Sequence, residues 1–268
     1  MPREMRARRV PAPGSVIGMT GTDAPRQPEA ETGRPPLLEW QERLRASPGF
    51  RAIALQNRVR RIGYLFQANI AQYKSLVASL QDPATSLPFF DVRTPEAHDD
   101  LLMEAERLLH NVLTAMSTRV DQQRRFMDQN FQDDPGLVKE HRERIASTFG
   151  ASAEAAFLKG LRNYITHMQL PVAQSRQTFG RESFMVTFIL PGGPLLAWNG
   201  WNADMKAWIS GRGQAIAIVD VVDAYARMAG DLDKWLHDQI GQRHHAEITA
   251  FLREQDDYTR EHDRVFGE

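Results

Sequence analysis

The stretch 55–80, LQNRVRRIGYLFQANIAQYKSLVASL, decides the architecture. Leu55, Val59, Ile62, Phe66, Ile70, Tyr73, Val77 and Leu80 recur at spacings of three and four, with Arg58, Arg60, Arg61 and Lys74 between them. This is one apolar stripe along a helix of about seven turns. A stripe that long must be buried against other elements, because packing supplies most of a helix's stability. Leu101, Ala105, Leu108, Val112, Met116, Val120, Met127 and Phe131 form a second such stripe, and Ile218, Val222, Tyr225, Leu232, Leu236 and Ile240 a third. Long helices joined by short connections pack as neighbours running in opposite directions. The expected fold is mainly α, an antiparallel helical bundle.

Punctuation around these stripes adds further elements. PLLEWQERLRAS (36–47) is a short amphipathic helix stopped at Pro48-Gly49, and DPATSLPFFDVR (82–93) reads as a loop. Thr94-Pro95 pairs a cap residue with a proline at the first helical position, as a helix start requires. Pro135 opens a helix to Thr148, Phe149-Gly150 stops it, and Ser152 caps the next. After Pro171 the period changes to two. Two extended runs flank Gly180, and in the second Phe184, Val186, Phe188 and Leu190 alternate with Met185, Thr187 and Ile189. Both faces of that strand are apolar, so cover on both sides is expected. One small β-hairpin therefore interrupts the helices. PGGP (191–194) ends it, and LLAWNGWNADMKAWI (195–209) gives two short helical pieces around Asn199-Gly200.

The ends differ in character. Residues 1–36 are rich in Pro, Gly, Thr, Arg and Glu and hold few large apolar side chains. They read as a disordered tail, in which Met5 and Met19 are alternative initiators. Beyond Gly241 the last stripe thins, and REQDDYTREHDR (253–264) reads as solvated. The expected organisation is a tail over 1–36, a helical domain with a hairpin insertion over 37–240, and a partly frayed helical extension over 241–268.

Composition excludes several chemistries. The 268 residues are 42% hydrophobic and 25% charged, enough for a sizeable core. A net charge of -1 gives no global attraction to nucleic acid or membranes, so a polyanion has to be met by a local patch. The absence of cysteine removes disulfides, thiolate nucleophiles and Cys-based zinc sites. No apolar run approaches the roughly 20 residues that span a bilayer, and no apolar segment follows the N-terminal arginines. A cytoplasmic location without membrane contact is expected. His237 and His244 share a helix face, but His245 and Glu247 do not, and no H-E-x-x-H is present. Neither a metal nor another cofactor is expected.

The chemistry-bearing stretch is FLKGLRNYITHMQLP (157–171), in which Arg162, Asn163 and His167 stand near the end of a helix. A guanidinium makes paired, charge-assisted bonds to phosphate and stabilises developing negative charge. An imidazole moves protons near neutral pH. Leu161, Ile165 and Met168 share an inward face. Asn163 and His167, four apart, share another stripe and can touch. Arg162 and His167, five apart, point about 140° from each other. They meet one phosphate if the arginine folds around, if the helix frays at His167, or if a second copy faces the first across a two-fold axis. The bare R-x-x-x-x-H spacing arises by chance about once in a chain with this many Arg and His, and Arg93 and His98 repeat it across Pro95. The bland reading is a helix end whose late Arg and His favour the negative end of the dipole. The arginines at 58, 60, 61, 119, 124 and 125 are candidates for phosphate contacts or for solvated faces paired with Asp and Glu, and Arg176 and Arg181 flank the hairpin turn. Trp198, Trp201 and Trp208 are candidates for base stacking or for core contacts.

The segment LRNYITH…LP resembles the signature of the HEPN superfamily, the higher eukaryotes and prokaryotes nucleotide-binding domain: Arg, a polar residue often Asn, three more residues, then His, late in a helix of an α-bundle. It also resembles bacterial proteins in which a similar segment precedes a hairpin and a Trp-rich stretch. The motif covers about 157–171 and the helical context 37–240. The resemblance implies a metal-independent endoribonuclease acting as a homodimer with its site at the dimer interface. It further implies a place in toxin–antitoxin or phage-defence systems, with an antitoxin or regulatory protein as a further partner besides RNA. Carried over, Arg162 binds the scissile phosphate, His167 is the acid/base and Asn163 orients them. The alternatives are a non-catalytic module of the same fold that holds RNA, a nucleotide or a protein, and a helical scaffold that binds a protein through its last helix.

Overall fold

The structure is a computed structural model, and it describes residues 36–168, 173–179, 184–213 and 215–267. All but Pro36 of the expected 1–36 tail, Pro171, and the hairpin turn with Gly180 and Arg181 lie outside the described residues.

Local signals place most helix starts. α1 (Leu37–Ala46) ends at Ser47, whose hydroxyl accepts from the Phe50 amide at 3.2 Å and so caps α2 (Pro48–Ser79). Pro48 therefore opens the long helix, where its missing N–H costs nothing, as well as closing the short one. The segment expected to be a loop contains a single turn of helix, α3 (Pro83–Ser86), capped by Asp82, and a 3₁₀ turn over Leu87–Phe90. α4 (Pro95–Asn130) follows. Asp134 caps α5 (Pro135–Thr148), and Ser152 caps α6 (Ala153–His167), each accepting a backbone N–H three residues on. β1 (Gln174–Phe179) and β2 (Phe184–Pro191) form the hairpin, with Gln174 opposite Ile189 and Phe179 opposite Phe184. α7 (Gly192–Leu196), α8 (Ala203–Gly211), β3 (Ala215–Ala217), α9 (Ile218–Arg243) and α10 (His245–Phe266) complete the order.

The fold is mainly α, as the three stripes require. The start of α2 lies beside the ends of both α4 and α9, where Val59, Ile62, Phe126, Met127, Leu236 and Ile240 form one core cluster. Its far end meets the start of α4 in a second cluster of Leu80, Leu101 and Ala105 with Val186 and Phe188 of β2. α2 is thus antiparallel to both, and Lys74 reaches Asp223 of α9 at 3.1 Å. α6 packs into the central cluster through Phe157, Leu158, Leu161 and Tyr164. Met168, expected to pack with them, is 60% exposed, because the backbone leaves the helix there.

Two features go beyond the expected outline. The β element is a three-stranded antiparallel sheet, since β3 adds to β2 with Leu190 opposite Ile216. Farther along β2, the Gln81 amide takes the place of a strand by bonding both the N–H and the C=O of Val186. The last helix is not continuous. It breaks at His244, and α10 folds back onto α1 and α2. That helix packs one side, while 253–264 stays without a buried residue. Phe251 packs with Trp40 and Leu44, and Glu254 bonds the Trp40 indole and Arg43.

The three tryptophans take the core alternative. Trp201 is buried, its ring stacked on Phe157 and edge-on to Trp198, and its Nε1 donates to the Leu195 carbonyl at 2.8 Å. Trp208 also packs against Phe157, with ring centroids 5.0 Å apart. This aromatic block holds α7 and α8 against the buried side of α6, leaving its opposite side facing α4 and α5.

Candidate functional site

α5 leans on α9, where His141 stacks on Trp235 with ring centroids 6.2 Å apart. That contact leaves an opening between α4, α5 and α6, a cavity of about 850 Å³. Its α6 wall carries Ala155, Ala156, Lys159, Arg162 and Asn163. These positions repeat at three and four along one helix face, and the two alanines leave room beside it. Arg142 enters from α5 and Arg124 from α4.

Beneath the cavity lies a buried ion pair. Arg119, grouped by sequence with solvated arginines, has a side chain only 1% exposed and grips Asp233 of α9 with two nitrogens, at 3.1 and 2.5 Å. It also donates to the Ala229 carbonyl at 2.9 Å, and Gln123 donates to the same carboxylate at 3.2 Å. Burial pushes the Asp233 carboxyl up from its usual value, against the pull of Arg119 and Gln123. Burial likewise raises the Tyr225 phenol on the cavity's inner wall.

The rim has a positive excess. Arg119 is neutralised by Asp233, and Arg124 lies 3.6 Å from Asp121. Arg142, Lys159 and Arg162 make no side-chain hydrogen bond or ion pair among the described residues, with Asp128 the remaining carboxylate of the lining. A chain of net charge -1 therefore presents a local cationic patch.

Arg162 stands where this cavity meets a second one of about 170 Å³, lined by His110, Thr114, Thr118 and Asp121 from α4 and Thr166 from α6. His167 is exposed and lines neither cavity. The structure thus brings Arg162 and Asn163 together on the groove and sends His167 to another side of α6, as five residues of helix dictate. Asn163 and His167 can share a stripe, yet no hydrogen bond joins their side chains. The decoy histidine His98 is occupied with Ser175 at 2.9 Å, and Arg93 with Asp91. Sequence reading missed Lys159, Arg142, His110 and His141; the i, i+3, i+4 series Lys159, Arg162, Asn163 was the signal available for the first.

His141 belongs to the cavity wall. It is 5% exposed, and its Nε2 has no hydrogen-bond partner. Burial, with the nearby Arg119 and Arg142 charges, pushes its pKa down to about 4. The unfolded chain therefore binds a proton below about pH 6.5 that the folded chain refuses. The stability contributed by the neutral ring is complete above that pH and is lost as pH falls toward 4. Urea unfolding at pH 7 and pH 4.5 is expected to show wild type losing on the order of 2 kcal/mol more than His141→Phe, which keeps the stacked ring without the titration. Equal losses would show that water reaches the imidazole.

Among the described residues no group of three or more His, Asp or Glu side chains could hold a metal ion, and no helix is long and apolar enough to cross a membrane. Comparison with known proteins yields no match among family models, curated proteins or solved structures.

Proposed function

We propose that this chain binds RNA across the mouth of the α4–α5–α6 groove and acts as a HEPN-type endoribonuclease when two copies pair. The observation that carries the reading is Arg162, an exposed guanidinium with no partner among the described residues, beside the equally unpaired Lys159 and Arg142. Three cations on one rim suit a phosphate backbone. Arg162 would hold the scissile phosphate. His167, turned away on its own chain, would face the groove of the second copy and take the proton from the ribose 2′-OH. The new 2′-O–P bond then forms as the P–O5′ bond breaks, leaving a cyclic phosphate, and a proton passes to the departing 5′-oxygen. A non-catalytic RNA-binding module is the second reading, favoured by the separation of His167 from both cavities.

Fluorescence polarisation with a labelled single-stranded RNA and a cleavage assay test both. Arg162→Ala is expected to weaken binding and to lower the salt slope by about one. His167→Ala is expected to leave binding intact and to slow cleavage by at least about 100-fold. Mixing the two variants is expected to restore about one quarter of the wild-type rate, because half the dimers then contain one intact site of two. Full cleavage by either single variant rejects the nuclease reading. RNA binding with no cleavage by wild type selects the non-catalytic one.

A further inference from the structure

We infer that the interior of the groove is a binding site for a small amphipathic anion: an organic acid whose apolar body lies on the cavity floor and whose carboxylate, sulfonate or phosphate meets the cations of the rim. The inference does not depend on the RNA reading, which uses the rim alone.

The volume of about 850 Å³ falls within the roughly 300–1,000 Å³ typical of small-molecule sites. The floor is apolar. Met116 and Met127 come from α4, Val138 and Ile145 from α5, and Phe149 from the turn before α6. Methionines adapt to ligands of differing shape, and Phe149 is held in place by its ring contact with Tyr225 at 5.2 Å. A phosphodiester backbone has no apolar body to cover such a floor, whereas an aryl or short acyl group does. The charge arrangement agrees. Asp233 cancels the one cation below the floor, so the uncancelled cations are those at the rim. An anion with an apolar tail therefore has one orientation that satisfies both ends.

The independent observation is His141. Its Nε2 is buried at the cavity wall without a hydrogen-bond partner, an arrangement that costs about 1–3 kcal/mol. Native structures rarely leave such a group unsatisfied. The ring lines the cavity, so a ligand around which the wall adjusts would bring a polar atom to this nitrogen and complete it. The neutral ring that burial enforces can offer that nitrogen as donor or acceptor, according to tautomer.

Anilinonaphthalene sulfonate combines an aromatic body with one fixed negative charge and serves as the probe on the full chain. Its fluorescence is expected to report one saturable site. Arg142→Glu is expected to weaken binding by about tenfold, and the uncharged phenylnaphthylamine to bind at least about tenfold more weakly than the sulfonate. Ala156→Trp, at an exposed lining position, fills the space and is expected to abolish binding, with urea unfolding confirming that the fold is kept. In nitrogen NMR the His141 Nε2 resonance is expected to shift on saturation. Probe binding that persists in Ala156→Trp, equal affinity for the uncharged analogue, no saturable site, or an unmoved His141 resonance would each overturn the inference. Loss of RNA binding in Arg162→Ala with a probe site still blocked by Ala156→Trp would uphold both readings. RNA binding without a probe site would uphold the RNA reading alone.

Discussion

Asp233→Ala is expected to lower the unfolding free energy by about 3–5 kcal/mol. The carboxylate receives two nitrogens of Arg119 and the amide of Gln123. Removing it leaves a guanidinium with a 1% exposed side chain and no countercharge, holding the neutral Ala229 carbonyl and Tyr225 hydroxyl. The dominant cost is the stranded charge rather than the lost attraction, because desolvation of an unpaired ion exceeds any single hydrogen bond. Replacing both partners, Arg119→Met with Asp233→Leu, is therefore expected to recover most of the loss. Gly63 limits how closely that second side chain is approached, since a Cβ there would stand 2.6 Å from the Asp233 Oδ2. Thermal unfolding followed by circular dichroism reads the effect as a fall in Tm on the order of 10 °C for the single variant. A single variant within about 1 kcal/mol of wild type would mean that water reaches the guanidinium after all. The pair also underlies the cavity floor, so the same substitution is expected to disturb probe binding more than the double replacement does.

Trp201→Ala is expected to cost about 3–5 kcal/mol, because it removes the centre of the aromatic block behind α6. The Trp201 ring lies 5.6 Å from Phe157 at an interplanar angle of 7° and 5.1 Å from Trp198 at 86°. It approaches α6 so closely that a Cβ on Gly160 would meet the ring at 2.0 Å. Gly160→Ala alone is therefore expected to destabilise by about 1–3 kcal/mol despite alanine's better helix propensity. The ring has no free direction to yield, being fixed by its stacking partners and by its bond to the Leu195 carbonyl. In the Trp201→Ala background the same Gly160→Ala change is expected to be neutral or stabilising by up to about 1 kcal/mol. A double-mutant cycle by urea unfolding measures this coupling. Additive effects would show that the two residues are not in contact.

The candidate site was half legible before folding. Arg162 and Asn163 were singled out by residue type and spacing, and both line the groove. The separation of Arg162 from His167 was also foreseeable, because helical rotation is a local property. The remaining members of the groove come mainly from α4, α5 and α9, as far as Leu232, 73 residues from Lys159 in sequence, and no spacing rule connects them. Arg119 shows the limit most clearly. Its sequence neighbourhood, with Arg124 and Arg125, matches a solvated helix face, and its burial follows from an aspartate more than a hundred residues away.

The amino-acid sequence by itself determined the long helices, most of their starts and the hairpin, because a 3.6-residue period, a Ser or Asp before a proline and a two-residue alternation act within one or two turns of chain. Tertiary structure alone decided the return of α10 onto α1 and α2, the third strand, the depth of Arg119 and the opening between α4, α5 and α6. Each of these depends on how far apart packed elements stand, a distance set by side chains that meet across the fold, such as His141 on Trp235 and Trp201 on Gly160.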